Sequence, residues 1–402
     1  MKHTPSETIA DTAVLSATAR LSKNSSAEPE FPAVNLSEAL ISLRHVRHNV
    51  RAVKRLIGSP PRIMAIVKAN AYGHTVDAVA PALLAEGVTD FGVANINEAI
   101  ELRKRVGNNA AILAFASPLA EQLEFYIRHN IELSIGSYDI LSAAKSIAAK
   151  LGKSITAHLK IDTGMGRLGV QPADALALAE RIAASPYLRL KAIYTHFASS
   201  GSDKAFTKKQ LKTYLALVSE IEHATGANVM RHAANSGAIL TDKTTHLDMV
   251  RPGMLLYGYA PDESFRSTPD LKPVMQLQSR VMFTKWIEKG TSVSYGRRWT
   301  ATRRSRIATV SIGYADGYHR VASNITSVMI RGNLFRQIGS VTMDAMMVNL
   351  GNDESVQVGD AVVLFGWEKS LSVNRLAKQI GTIGYELLCA VSPRVKRVVI
   401  DE

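Results

Sequence analysis

The chain has 402 residues, 46% of them hydrophobic and 21% charged, which excludes a single small module, wholesale disorder and a collagen-like repeat. Lys and Arg exceed Asp and Glu by 48 to 35, a net charge of +13 that suits nucleic acid, anionic lipid or anionic small molecules without choosing among them. The single cysteine, Cys389, excludes an internal disulfide and a thiolate metal site, which fits a reducing cytoplasm.

Residues 1–30 are rich in Ser, Thr and Ala, carry both signs of charge and lack the apolar core of a signal peptide, so they read as a mobile tail. No stretch reaches the ~20 apolar residues of a membrane span. From Ile63 onward, short runs of branched residues alternate with segments of helical period, the signature of parallel βα units. Strands are predicted at 63–67, 90–94, 111–115, 131–135, 156–161, 190–195, 229–232 and 247–250. Helices are predicted between them, among others at 76–86, 96–105, 137–151, 173–184 and 205–223. Eight strands imply a closed (β/α)8 barrel, assigned to residues 31–270.

Beyond Leu271, between Pro269 and Pro273, the texture changes to apolar–polar alternation with frequent Gly, as at 307–312, 327–331 and 361–365. Residues 271–402 therefore read as a β domain with one helix near Val373–Ile380. They hold 18 basic and 10 acidic residues, against 30 and 25 in the rest of the chain. The densest basic cluster (Arg297, Arg298, Arg303, Arg304, Arg306) lacks the interleaved aromatics of a single-strand platform, and reads as a solvated or substrate-attracting rim with no nucleic acid partner.

In such barrels chemistry is built at the carboxyl ends of the strands. Strand one ends in Val67-Lys68-Ala69-Asn70-Ala71-Tyr72-Gly73-His74, strand five in Lys160-Ile161-Asp162 and strand six in Tyr194-Thr195-His196; strands seven and eight lead into Asn235-Ser236-Gly237 and Arg251-Pro252-Gly253. The small and hydroxylated residues after the last two strands suit a phosphate. A lysine directly after a buried strand is either snorkelling to the rim or used as a desolvated amine, so Lys68 is a candidate for Schiff-base chemistry. A Schiff-base lysine with a phosphate site suggests pyridoxal phosphate, though aldolase barrels use the same two elements. The eleven histidines show no metal-ligand spacing, and no metal is expected.

Seven strings occur in the order seen in alanine racemases: VKANAYGH (67–74), DTGMGRLG (162–169), THF (195–197), HAANS (232–236), VSYG (293–296), GYADGY (313–318) and Tyr385-Glu386. Over roughly residues 33–400 the chain resembles a bacterial alanine racemase. That resemblance implies pyridoxal 5'-phosphate as cofactor, L-alanine and D-alanine as substrates, supply of D-alanine to peptidoglycan, and a homodimer in which the C-terminal domain completes the partner subunit's site.

Residue by residue, Lys68 matches the lysine bound to the cofactor, and Tyr295 the tyrosine entering from the partner subunit; they are the two expected bases. Arg251 matches the arginine at the pyridine nitrogen, where a guanidinium leaves that nitrogen without a proton. Tyr72, Ser236, Gly253 and Tyr385 match phosphate-binding positions, with Asn235 beside them. His196 matches a histidine that tunes the tyrosine. Arg167 matches the arginine that touches the cofactor's phenolic oxygen and the substrate carboxylate, Met343 a backbone N–H reaching that carboxylate from the partner subunit, and Lys160 a position open to carbamylation, which would orient Arg167. Thr75, His319, Ser340 and Thr342 depart from the common pattern, which leaves open a racemase of broader range, including serine. A pyridoxal phosphate carrier without turnover is the binding-protein alternative.

Overall fold

The computed structural model describes residues 36–265 and 267–401; the tail expected over residues 1–30 lies outside them. A first strand, β1 (Glu38–Ser42), runs into the helix Leu43–Ile57, whose N-terminus is capped by the Ser42 side chain. The next eight strands are β2 (Arg62–Ile66), β3 (Asp90–Val93), β4 (Ala111–Ala114), β5 (Glu132–Ile135), β6 (Ile155–Lys160), β7 (Leu188–Tyr194), β8 (Met230–Asn235) and β9 (Met249–Arg251). They are parallel neighbours in sequence order, and β9 closes on β2 through Arg62↔Met249 and Ile63↔Val250 to complete the barrel. Each falls within two or three residues of a strand read from the sequence.

The helices between strands start and stop where local chemistry directs. Asn95, Ser137 and Asp203 side chains accept N–H bonds at the N-caps of Ile96–Val106, Tyr138–Leu151 and Lys204–Thr225, and Gly152 and Gly226 end the last two in the left-handed region. Their apolar faces pack on the barrel's outer side, where Leu102, Leu141, Leu178 and Ile221 are buried.

The remaining strands are β10 (Met275–Ile287), β11 (Ser292–Val293), β12 (Trp299–Thr300), β13 (Ser305–Val310), β14 (Ser327–Ile330), β15 (Asn333–Ile338), β16 (Met346–Gly351), β17 (Ala361–Phe365) and β18 (Lys396–Ile400). Apart from the small β11–β12 ribbon they form one sheet in the order β13-β16-β15-β14-β17-β10-β1-β18. β14 and β15 are joined by Arg331-Gly332, both at positive φ, the geometry that matches the twist of paired strands. The predicted helix is present at Val373–Ile380, ended by Gly381 in the left-handed region. β1 was not read from the sequence. It precedes the barrel in the chain but sits inside this sheet, antiparallel to β10 and parallel to β18.

Candidate active site

The strand ends of the barrel open into a cavity of about 580 Å³ lined by Lys68, Tyr72, Lys160, Arg167, His196, Asn235, Ser236, Arg251, Gly253 and Tyr385. Ten of the residues singled out in the sequence therefore meet in one place. Tyr295 and Met343 do not: they are 73% and 52% exposed, and Tyr295 lines a separate hollow with Thr342 and Met347.

Lys68 follows β2 by two residues and is itself followed by Ala69, Asn70, Ala71 and Tyr72, all with φ between 52° and 54°. A left-handed turn of four non-glycine residues is unfavourable by ~1–2 kcal/mol per residue, so it persists only where its surroundings hold it. They do so here through the Glu98 carboxylate, which accepts the N–H groups of Ala69 (2.9 Å) and Ala94 (2.7 Å), and through Asn70 Oδ1, which accepts from Val76 N–H at 2.8 Å. The turn sends the Tyr72 ring against Tyr257, with centroids 4.7 Å apart, and towards Tyr385 at 5.9 Å. Burial and the neighbouring Arg167 lower the proton affinity of the Lys68 amine, which favours its nucleophilic, neutral form.

Four donors line one part of the cavity's wall: the Ser236, Tyr72 and Tyr385 hydroxyls and the Gly253 N–H. The Gly253 N–H donates to Ser236 Oγ at 2.9 Å, and a Cβ added at Gly253 would stand 2.5 Å from the Tyr72 hydroxyl. Only a glycine leaves that space open. Tyr385 arrives from the helix Gly384–Ala390 of the C-terminal domain. Burial raises the Tyr385 phenol to about 12 and Tyr72 well above its ordinary value, so both hydroxyls remain donors. Asn235 supports this part of the wall: its Oδ1 accepts from Ser200 Oγ at 2.8 Å and from Ala238 N–H at 3.0 Å.

Arg251 is buried in the cavity wall. Its terminal nitrogens bond to His232 Nδ1 (2.9 Å), Thr195 O (2.7 Å), Ala233 O (3.0 Å) and His196 Nδ1 (3.3 Å), and none of these bonds uses Nε. Burial brings its guanidinium down to about 10, still cationic near neutrality. Burial and the charge of Arg251 also push His196 and His232 well below the usual imidazole range, so both are neutral. The Lys160 ammonium lies 4.5 Å over the Tyr194 ring, and burial together with Arg251 and Arg167 lowers it to about 7. Asp162 shapes the loop that carries Arg167 by accepting the N–H groups of Gly164, Met165 and Gly166 at 2.8 to 3.1 Å.

The cavity fits pyridoxal phosphate: an amine of reduced proton affinity for its aldehyde, neutral donors around a glycine-walled recess for its phosphate, and a guanidinium for its ring nitrogen. Sequence reading missed Glu98, which organises the turn after Lys68, and the buried His158 and Glu132 behind Arg251. The signal for the latter was present, since polar residues inside otherwise apolar barrel strands require partners.

Comparison with known proteins bears on this arrangement. The family model described as "Alanine racemase, N-terminal domain" matches residues 41–261, and "Alanine racemase, C-terminal domain" matches residues 274–399. The alanine racemase of Chlorobaculum tepidum is 52% identical over 380 residues, 94% of this chain and 98% of that protein. That of Treponema denticola is 41% identical over 91% of this chain and 98% of its own length. The solved alanine racemase of Bartonella henselae with covalently bound pyridoxal phosphate superposes with a TM-score of 0.83 at 29% identity, covering 92% of this chain and all of that one.

Proposed function

The chain belongs to the alanine racemase family, and on that basis we propose how its residues interconvert L-alanine and D-alanine. It is a pyridoxal-phosphate-dependent isomerase. When bound, pyridoxal phosphate draws off the electron pair left as the Cα–H bond breaks. Lys68 Nζ takes and returns the proton on one face of the substrate, and Tyr295 Oη of a second copy of the chain does so on the other. In the L to D direction Tyr295 Oη receives the α-proton and Lys68 Nζ delivers one to the opposite face; the reverse direction exchanges the roles.

Arg251 presents its guanidinium to the cofactor's ring nitrogen and leaves that nitrogen unprotonated, which restrains the loss of electron density from Cα and with it side reactions. Ser236, Gly253, Tyr72 and Tyr385 hold the phosphate, Arg167 orients the substrate carboxylate, and Met343 of the second copy adds its N–H. The active unit in this reading is a homodimer, with residues 31–270 carrying the cofactor and residues 271–402 closing the neighbouring site. Its D-alanine serves peptidoglycan synthesis in the cytoplasm. Among the described residues no helix is long and apolar enough to cross a membrane.

The observation that carries this reading is the convergence of Lys68, Arg251 and the Gly253 recess in one cavity. Purified protein is expected to be yellow, to bleach on borohydride with the label on Lys68, and to turn L-alanine into D-alanine. Faster turnover of serine than alanine would favour the broader racemase, and colour without turnover a cofactor carrier.

A further inference from the structure

Behind Arg251, the barrel interior carries a line of buried polar groups that the reaction above does not use. Arg251 Nη1 meets His232 Nδ1 at 2.9 Å, His232 Nε2 meets His158 Nδ1 at 3.0 Å, and His158 Nε2 meets Glu132 Oε2 at 2.8 Å. Lys191 Nζ donates to the other carboxylate oxygen, Oε1, at 2.7 Å, and lies 3.8 Å from Asp90. The line crosses β9, β8, β6 and β5. Lys191 joins it from an irregularity in β7, where the pairing skips from Leu190 to Ala192. His158 and His232 are fully buried, and Arg251 and Glu132 nearly so, at 4% and 8% exposure.

The chemistry of the two ends gives the line one direction. A guanidinium only donates, so His232 Nδ1 must be bare and its single proton must sit on Nε2. That proton points at His158 Nδ1, which must then be bare too. The His158 proton is left on Nε2, facing Glu132, which as a carboxylate only accepts. Donor and acceptor ends thus demand the same tautomer of both rings. The parallel stack of Tyr194 on His232, at 4.8 Å and 4°, with the Tyr194 hydroxyl bonded to Ser134, holds the middle ring in plane.

We propose that Glu132 is a positioning residue for Arg251: through His158 and His232 it sets the tautomers that give Arg251 a bare nitrogen to donate to, and so fixes the guanidinium where it meets the cofactor ring. This rests on the reading that Arg251 faces that ring. A buried carboxylate with a lysine is a poor source of stability compared with apolar packing, whereas it is well suited to fixing orientation. Outer partners of this kind act through the group they hold.

Nitrogen-15 spectra of histidine-labelled holoenzyme test the proposal. The parent protein is expected to show His158 and His232 neutral, with the proton on Nε2 in each. Glu132→Gln combined with Lys191→Met leaves the one amide oxygen to the His158 N–H with no lysine competing for it, and is expected to keep both tautomers. Glu132→Ala is expected to let His158 exchange between tautomers, shift the cofactor absorption band, and lower kcat about tenfold with KM little changed. The idea is overturned by a proton on Nδ1 of either ring in the parent, or by a Glu132→Ala protein whose histidine and cofactor spectra match the parent. If Glu132→Ala does not fold, the parent and double-variant spectra decide. A parent protein that neither colours nor racemises would instead refute the functional reading, and leaves the tautomers measurable.

Discussion

Lys68 and Tyr295 face different hollows of the same chain: Lys68 lines the barrel cavity, and Tyr295 stands 73% exposed on the rim of another. An exposed tyrosine proposed as a base needs a second chain to bury it. Mixing Lys68→Ala protein with Tyr295→Phe protein should form heterodimers with one intact and one doubly damaged site. Activity is expected to return on mixing, and demonstrated heterodimers without recovery would rule out the shared site.

The two bases should also separate in isotope exchange. In deuterated water, Tyr295→Phe is expected to wash deuterium into D-alanine without inversion, because Lys68 still removes and returns the proton on its own face. L-alanine should exchange more slowly by ~10²- to 10⁴-fold, the range of a single general base. Equal exchange would refute the two-base assignment, and preference for L-alanine would reverse the faces.

Gly253→Ala should weaken cofactor binding. The new Cβ would stand 2.5 Å from the Tyr72 hydroxyl and 3.1 Å from the ring carbon bearing it, and the turn around Tyr72 leaves little room for retreat. Overpacking of this kind is unfavourable by ~1–3 kcal/mol. Tyr72→Phe alone should also weaken binding by loss of its hydroxyl, and in the double variant the two losses should combine to less than their sum, because the closer contact of the alanine is gone. Fluorescence titration of apoprotein with pyridoxal phosphate measures each.

Lys160 predicts a pH dependence of stability. Its amine releases its proton near pH 7 in the folded protein and near 10.5 when unfolded, so between those values the unfolded chain holds a proton that the folded chain lacks. Stability should therefore rise with pH across that window, by on the order of a few kcal/mol, and be flat in this respect on either side. Urea titrations in carbon-dioxide-free buffer should show the slope in the parent and a flatter one in Lys160→Gln. The same neutral amine is a competent nucleophile for carbon dioxide, and a carbon-13 carbamate signal with labelled bicarbonate is expected at neutral pH. Its absence would remove Lys160 from the proposed modification.

The barrel was legible because each strand is a short branched run framed by helical period, and local pattern suffices for such elements: 111–115 and 131–135 were read to within a residue. β1 was not legible, since Glu-Ala-Leu-Ile-Ser runs straight into the helix Leu43–Ile57 with no turn residue between them and its partners lie more than 230 residues away. At the site, family strings identified the residues around the cavity. Glu132, His158 and Lys191 escaped because each looks like an isolated polar residue until the barrel closes and an irregularity in β7 brings Lys191 alongside.

The position of β1 bears on how the protein is made. Residues 38–42 leave the ribosome before any barrel strand, yet their neighbours in the sheet are β10 and β18, the latter at residues 396–400. The barrel can close while synthesis continues; the second sheet waits with its inner strand already delivered and one neighbour still untranslated. A fragment starting at residue 271 would lack that inner strand, leaving the flanks of β10 and β18 as open edges prone to pairing with other chains. Dividing the gene at the apparent domain boundary is thus expected to yield an aggregating C-terminal piece, and a peptide carrying residues 36–44 supplied in trans should restore its solubility.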